Sequence, residues 1–143
     1  TVVVAGKDPG ATIRELAGPR VEVTGFLDDL RQELWRATVA VAPLRYGAGI
    51  QNKVLEAMAC GLPVVTTPAV VQALEPSARE SVSVADTADS IAAALVSVLD
   101  ATDRTRTAGR AARAYVERHH DWSRQARRLA DIYRDARALK AAS

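Results

Sequence analysis

The sequence predicts an α/β fold built on a doubly wound parallel sheet. Short β-branched runs alternate with helical patterns as far as Ala85, and the runs are mostly apolar on both faces, which is typical of covered parallel strands. Such alternation gives βαβ units, in which the strands are parallel. The length of 143 residues is that of an ordinary domain, so we expect one domain over residues 1–143.

The expected strands are short, as in most α/β domains, and none carries a proline beyond its first residue. They are Thr1–Ala5, Arg20–Thr24, Thr38–Ala42, Pro63–Thr66 and Ser81–Ala85. In a sheet of this kind ligands bind beyond the carboxyl ends of the strands. The loops that follow the strands are therefore the places to look for a site.

Helices are expected between and after the strands, where apolar residues recur every three to four positions. They are Ala11–Ala17, Asp28–Arg36, Asn52–Cys60 and Thr87–Leu99, followed by helical sequence over Thr102–Ala138 with a break near His119–Trp122. Gly61 ends the third helix as a C′ glycine does, and Asp121 or Ser123 can cap the last one. We expect Trp122 and Tyr133 to pack that helix on the domain, and we assign His119 and His120 no metal or catalytic role.

Composition narrows the class of protein. The chain is 48% hydrophobic and 25% charged, as in a soluble globular protein. Its one cysteine, Cys60, allows no internal disulfide, which suits a cytoplasmic location. No apolar run reaches the roughly 18 residues of a membrane helix. Because the chain lacks an initiator methionine and begins within an expected strand, we expect it to be part of a longer protein.

Charge is distributed unevenly along the chain. Residues 1–100 hold 8 Lys/Arg and 12 Asp/Glu, a net charge of −4, whereas residues 101–143 hold 11 and 5, a net charge of +6. We interpret the basic segment as a solvated helix face. The alternative is a peripheral contact with the inner face of an anionic membrane. We expect no nucleic-acid partner.

The informative stretch runs from Pro43 to Val65. Gly47 and Gly49 allow a ligand to approach the loop backbone closely, and free N–H groups at the start of the next helix can bind an anion. Arg45 and Lys53 flank that helix start and add positive charge. Glu56, one helical turn further, can accept hydrogen bonds from vicinal hydroxyls. This arrangement suits a ligand that carries a diphosphate beside a ribose.

The same stretch resembles the donor-site signature of glycosyltransferase family 4, which has the GT-B fold. That signature is a glutamate, seven residues, then Glu-Ala-Met-Ala-x-Gly-x-Pro-Val-Val, and Lys53–Thr66 is similar to its second part. The variant over Gly49–Ala59 is most similar to bacterial exopolysaccharide sugar transferases. Val23–Phe26 and Asp121–Ser123 extend the resemblance over nearly the whole chain, which is similar to the Rossmann-like C-terminal half of these enzymes.

The resemblance implies roles for individual residues. Glu56 matches the second glutamate of the signature, which is expected on the ribose hydroxyls. Gly47, Gly49 and Ile50 match the loop whose backbone faces the diphosphate and the sugar. Gly25 and Phe26 match the loop beside the base. The implied activity is retaining transfer of a hexose from a nucleoside diphosphate sugar to a glycan or lipid-linked acceptor, with neither a metal nor another cofactor.

The sequence departs from the family at two points. The first glutamate of the signature falls on Ala48, so either the donor sugar is held otherwise, for instance through Arg45, or its recognition is weaker. The resemblance implies that the Arg and Lys that usually neutralise the leaving diphosphate lie upstream of Thr1. It also implies that the acceptor site and the expected catalytic groups lie in an N-terminal domain outside this chain. We therefore assign no catalytic residue here and expect the chain alone to be inactive.

Two alternatives from other classes remain at this point. A sugar-nucleotide epimerase can share the GT-B fold, although the Glu-Ala-Met-Ala signature favours transfer. A non-catalytic nucleotide-binding module of flavodoxin-like shape would predict an acidic cluster after the first strand, where Asp8 alone is available.

Overall fold

The computed structural model of the chain describes residues 1–47 and 49–141. All five predicted strands are present, and every named strand pairing is parallel. The chain divides into two compact units, Thr1–Arg36 and Ala37–Ser143. The expectation of a single domain over residues 1–143 stays a prediction.

In the first unit, strand β1 (Val2–Ala5) pairs with β2 (Val21–Gly25). Helices α1 (Ala11–Arg14) and α2 (Arg31–Arg36) are shorter than predicted, and neither contains a buried residue. The prediction of strands covered on both faces is wrong for β1, where three of the four residues are exposed. Helices this short bring too few apolar side chains to cover a strand.

The late start of α2 has a local cause. The Asp29 carboxylate accepts hydrogen bonds from the backbone N–H of Arg31 at 2.9 Å and from its guanidinium at 2.8 Å. An aspartate that bonds the backbone two residues ahead favours a turn over a helix. The predicted first turn from Asp28 is therefore a turn that precedes the helix.

In the second unit, strands β3 (Ala40–Ala42), β4 (Val64–Thr66) and β5 (Val82–Val84) form a sheet in that order. The central strand β4 is buried throughout, as predicted for a strand covered on both faces. The register pairs Ala42 with Thr66, so β3 and β4 end at the same edge of the sheet. The loops that follow both strands leave from that edge.

Helix α3 (Asn52–Ala59) buries Val54, Ala57 and Met58. Its end is the predicted glycine cap: Gly61 has φ +77°, its N–H donates to the Met58 carbonyl at 2.9 Å, and the Leu62 N–H donates to Ala57 at 3.1 Å. These two bonds define a Schellman motif.

Helix α6 (Thr102–His119) lies closely against the end of α3. A Cβ added at Gly109 would lie 2.0 Å from the carbonyl oxygen of Gly61. Only a glycine permits so short a separation between the two backbones.

Two further helices differ in how well the sequence predicted them. Helix α4 (Pro68–Val71), which a 3-10 helix over Pro76–Glu80 follows, falls in a segment predicted as a loop. Pro68 starts α4 because its missing N–H is not needed in the first turn. Helix α5 (Ala88–Asp100) confirms its prediction and begins with a capping box between Thr87 and Ser90.

The last helix, α7 (Trp122–Ala141), begins where predicted, and the Asp121 carboxylate caps it by accepting the Arg124 N–H at 2.8 Å. The predicted packing of Trp122 and Tyr133 on the domain is wrong. Trp122 is 86% exposed and Tyr133 65% exposed, and Leu129 is also exposed, because no described residue covers this face. The helix therefore presents an open apolar stripe.

Candidate functional site

The loop from Leu44 to Gln51, here called the donor loop, joins β3 to α3 at the carboxyl edge of the sheet; within it Ala48 lies outside the described residues. Gly49 has φ +71°, a conformation that favours glycine. The side-chain amide of Gln51 donates to the Gly49 carbonyl at 3.3 Å. A Cβ added at Gly47 would lie 2.8 Å from the Gln51 Nε2 atom. The loop therefore folds back against the Gln51 side chain.

The amino end of α3 has no side-chain cap, because the N-cap residue Gln51 directs its amide toward the loop instead. The N–H groups of Val54 and Leu55 donate to the Gln51 carbonyl at 2.9 and 3.3 Å. The N–H groups of Asn52 and Lys53 make no hydrogen bond to another described residue. Such free amides, together with the helix dipole, are suited to binding an anion.

Three charged side chains predicted for the site lie on the donor loop and the first turns of α3. Arg45, Lys53 and Glu56 are all exposed. None of them forms an ion pair or a hydrogen bond with a described residue. Two cations and one acceptor are therefore open to a ligand without breaking an existing interaction.

A cleft of about 640 Å³ begins beside the donor loop. Its wall includes Ile50 of the donor loop and Asn52 at the start of α3. It also includes His119 and His120 at the end of α6, and Arg128 of α7. Of the predicted site residues of the second unit, Ile50 alone lines this cleft. The two histidines were expected only to end a helix. The sequence shows the helix break near them, but it does not show which element faces that break.

The histidines are held by Tyr115, which is buried. The Tyr115 hydroxyl accepts the Glu75 N–H at 3.0 Å and lies 3.3 Å from the Nε2 atom of His120, and its ring stacks on His119 with centroids 4.8 Å apart. Burial raises the pKa of Tyr115. Burial, followed by repulsion from His119, lowers the pKa of His120. A neutral His120 ring is therefore favoured at this wall of the cleft.

Gly25 and Phe26, predicted to lie beside the base, line a smaller cleft of about 370 Å³ in the first unit, together with Asp8 and Arg14. Gly25 has φ +73°, and Phe26 is 66% exposed rather than part of a core. An exposed aromatic ring at a cleft is suited to stacking on a flat ligand. Their contact with a base stays a prediction.

Within the described residues, no group of three or more His, Cys, Asp or Glu side chains is placed to hold a metal ion. Among the helices of the described chain, none combines the length and the apolar character that crossing a membrane requires.

Comparison with known proteins identifies the class. Residues 1–101 match the family model of the glycosyl transferases group 1. The match covers more than half of the chain, which therefore belongs to this family. No curated protein sequence matches the chain.

Solved structures confirm the predicted fold class, that of a GT-B glycosyltransferase with terminal helices. A sucrose-phosphate synthase from Thermosynechococcus elongatus is 28% identical with a TM-score of 0.79, over 99% of this chain and 39% of that protein. HepE from Anabaena in complex with UDP is 18% identical with a TM-score of 0.80, over 94% of this chain and 41% of HepE. HepE in complex with UDP-glucose is 20% identical with a TM-score of 0.76, over 94% of this chain and 41% of HepE. This chain thus spans about two fifths of the length of each.

Proposed function

We propose that this chain is the donor-binding domain of a glycosyltransferase and that it binds a nucleoside diphosphate sugar at the donor loop and the amino end of α3. The observation that carries the proposal is the uncapped helix start, where the Asn52 and Lys53 amides have no described partner behind a glycine-rich loop. Family membership supports it. The solved complexes of HepE with UDP and with UDP-glucose favour a uridine nucleotide and a hexose as the donor.

The three charged residues predicted for the site each have a physical role in this proposal. The diphosphate accepts hydrogen bonds from the free amides, and Lys53 and Arg45 add positive charge beside it. The Glu56 carboxylate accepts hydrogen bonds from the two ribose hydroxyls, since an ionised carboxylate has lone pairs for both. Arg45 is also the residue that we propose to contact the sugar in place of a glutamate at Ala48.

The proposed reaction is retaining transfer of a hexose, without a metal ion, to a glycan or lipid-linked acceptor in exopolysaccharide synthesis. Amides and cations at the helix start stabilise the negative charge that develops on the leaving diphosphate. A further domain outside this chain would present the acceptor and close over the donor to exclude water. The cytoplasm is the proposed location because nucleotide sugars are the substrate, and we propose that the chain alone has no transferase activity.

The test is a titration of the chain with UDP, GDP and ADP and their sugar conjugates, followed by NMR. We expect shifts concentrated in Gly47–Glu56 with one base preferred, and about tenfold weaker binding by Glu56→Gln, because a charge-assisted hydrogen bond is lost. The matched control is Glu80→Gln, an exposed glutamate of the second unit without a described partner. Shifts that avoid the donor loop, or equal effects of the two substitutions, would contradict the proposal.

A peripheral membrane contact of α7 is a second proposal, and the exposed apolar stripe beside basic residues favours it. Co-sedimentation with phosphatidylserine vesicles should weaken severalfold in Arg127→Glu/Arg128→Glu. No sedimentation of the unmodified chain, or equal sedimentation of the variant, would contradict this second proposal.

A further inference from the structure

We infer that Thr67 is a positioning residue for the donor loop, assisted by Thr66; the two side chains together are called the threonine clasp below. The clasp lies at the end of β4 and joins it to the neighbouring end of β3. The inference rests on the proposed function of the donor loop in diphosphate binding. Neither threonine is placed in contact with the donor.

The clasp is buried and makes two hydrogen bonds across the sheet edge. Thr66 is 0% exposed, and its hydroxyl donates to the Ala42 carbonyl at 3.0 Å. Thr67 is 5% exposed, and its hydroxyl donates to the Leu44 carbonyl. The Ala42 carbonyl also accepts the Leu44 N–H at 2.9 Å. Three hydrogen bonds therefore fix the chain between the last residue of β3 and the first residue of the donor loop.

The Thr67 hydroxyl does not cap the helix that follows it, which indicates its role at the loop. Thr67 is the N-cap residue of α4, a position where a threonine side chain ordinarily accepts a backbone N–H of the first turn. It makes no such bond here. Thr87, the N-cap residue of α5, does make it, accepting the Ser90 N–H at 3.1 Å. The Thr67 hydroxyl is therefore directed to the loop in preference to its own helix.

The direction of the loop follows from the clasp. Arg45 comes directly after the clasped Leu44, and Gly47 lies two residues further on. The anion site depends on the orientation of backbone groups, because an amide can bind a phosphate oxygen only if its N–H points at it. A rotation at the Leu44 peptide would change the orientation of the adjoining backbone groups of the donor loop. We therefore expect the clasp to determine the affinity for the diphosphate.

The first measurement is the UDP affinity of the chain by titration. Thr67→Val keeps the shape of the side chain but removes the donor, and we expect binding about fivefold weaker, the effect of one neutral hydrogen bond. Thr67→Ser keeps the donor and should bind within about twofold of the unmodified chain. Thr87→Val is the matched control: it removes a true helix cap and should leave UDP affinity unchanged.

The second measurement, amide hydrogen exchange of Leu44, does not need the nucleotide. We expect it to be about tenfold faster in Thr67→Val, with no change in Thr67→Ser or at the buried Val65. Equal Leu44 exchange in the valine and serine variants overturns the inference whatever the affinities. No UDP binding together with faster Leu44 exchange would instead overturn the proposed function and leave the clasp in place. If Thr67→Val does not fold, Thr67→Ala, which leaves the loop carbonyl open to water, replaces it.

Discussion

The two ends of helix α3 are made in opposite ways. At the carboxyl end, Gly61 and Leu62 satisfy the last carbonyls of the helix, and Gly109 approaches closely enough to exclude any side chain. At the amino end, the amides of Asn52 and Lys53 lack a described partner. The first arrangement stabilises the fold, whereas the second leaves hydrogen-bonding capacity for a ligand.

Substitutions at the two ends should therefore affect different properties of the chain. Changes at the carboxyl end of α3, the closed end, should lower the free energy of unfolding. They should leave the affinity of each folded molecule for nucleotide unchanged. Changes at the amino end of α3, the open end, should lower the affinity for nucleotide with little effect on the free energy of unfolding.

The largest expected effect is that of Gly109→Ala. Its Cβ would lie 2.0 Å from a backbone oxygen of Gly61, so α6 must move away from α3. We expect a loss of about 3 kcal/mol in the free energy of unfolding, measured in urea, since overpacking of this kind ranges to that size. The control is Arg104→Ala, an exposed site on the same helix, with a loss below about 0.5 kcal/mol. Equal losses in the two variants would show that the close approach of Gly109 to Gly61 does not contribute to stability.

Gly61→Ala should cost less, because it strains the backbone without moving a helix. Its φ of +77° is unfavourable for a residue with a Cβ, by about 1–2 kcal/mol. Urea unfolding measures the loss, and Gly18→Ala, where no atom lies within 4 Å and φ is not positive, is the control. A drop in UDP affinity of the folded fraction would show that the two ends are not independent.

At the open end, Gly47→Ala should change binding rather than stability. The new Cβ would meet the flexible amide of Gln51 at 2.8 Å and displace it from Gly49. We expect UDP affinity to fall severalfold, about 1 kcal/mol, with unfolding unchanged within about 0.5 kcal/mol. In a double-mutant cycle with Gln51→Ala, the two losses should not add. Simple additivity would mean that Gln51 does not support the loop.

The smallest effect concerns pH at the cleft beside this open end, where His120 meets Tyr115, His119 and Glu75. The pKa of His120 is lowered from 6.5 in the folded chain, so the unfolded chain takes up the proton first as pH falls. The free energy of unfolding linked to His120 is therefore at its full value above pH 6.5. It declines as the pH falls from 6.5 toward the lowered pKa of the folded chain. Urea unfolding at several pH values should show this decline, and His120→Gln should reduce it. An NMR titration that places the His120 pKa above 6.5 would contradict the sign.

The sequence predicted best what depends on local chemistry. All five strands were identified because their β-branched runs lie between turn residues, and Gly61 was identified because a C′ glycine follows directly from helix geometry. A loop between the third strand and the third helix was predicted from its glycines and is present. The roles of those residues toward a ligand stay predictions.

What depended on contacts between distant parts of the chain could not be predicted. The apolar stripe of α7 has the periodicity of a packed helix, and periodicity does not show whether a partner covers it. The Thr66 and Thr67 hydroxyls find acceptors 24 and 23 residues away, which no local pattern indicates. His119 and His120 line the cleft because Tyr115 holds them there, 4.8 and 5.4 Å from its ring.

The tryptophans have a practical consequence for these experiments. The chain has two, Trp35 in the first unit and Trp122 in the second, and they are 66% and 86% exposed. We therefore expect their fluorescence in the folded state to be that of solvated indole and to change little on unfolding. Replacing either one by phenylalanine leaves a single emitter that belongs to one unit. Binding of a quencher or a ligand at the cleft beside Trp122 can then be followed by the fluorescence of Trp122, without an added label.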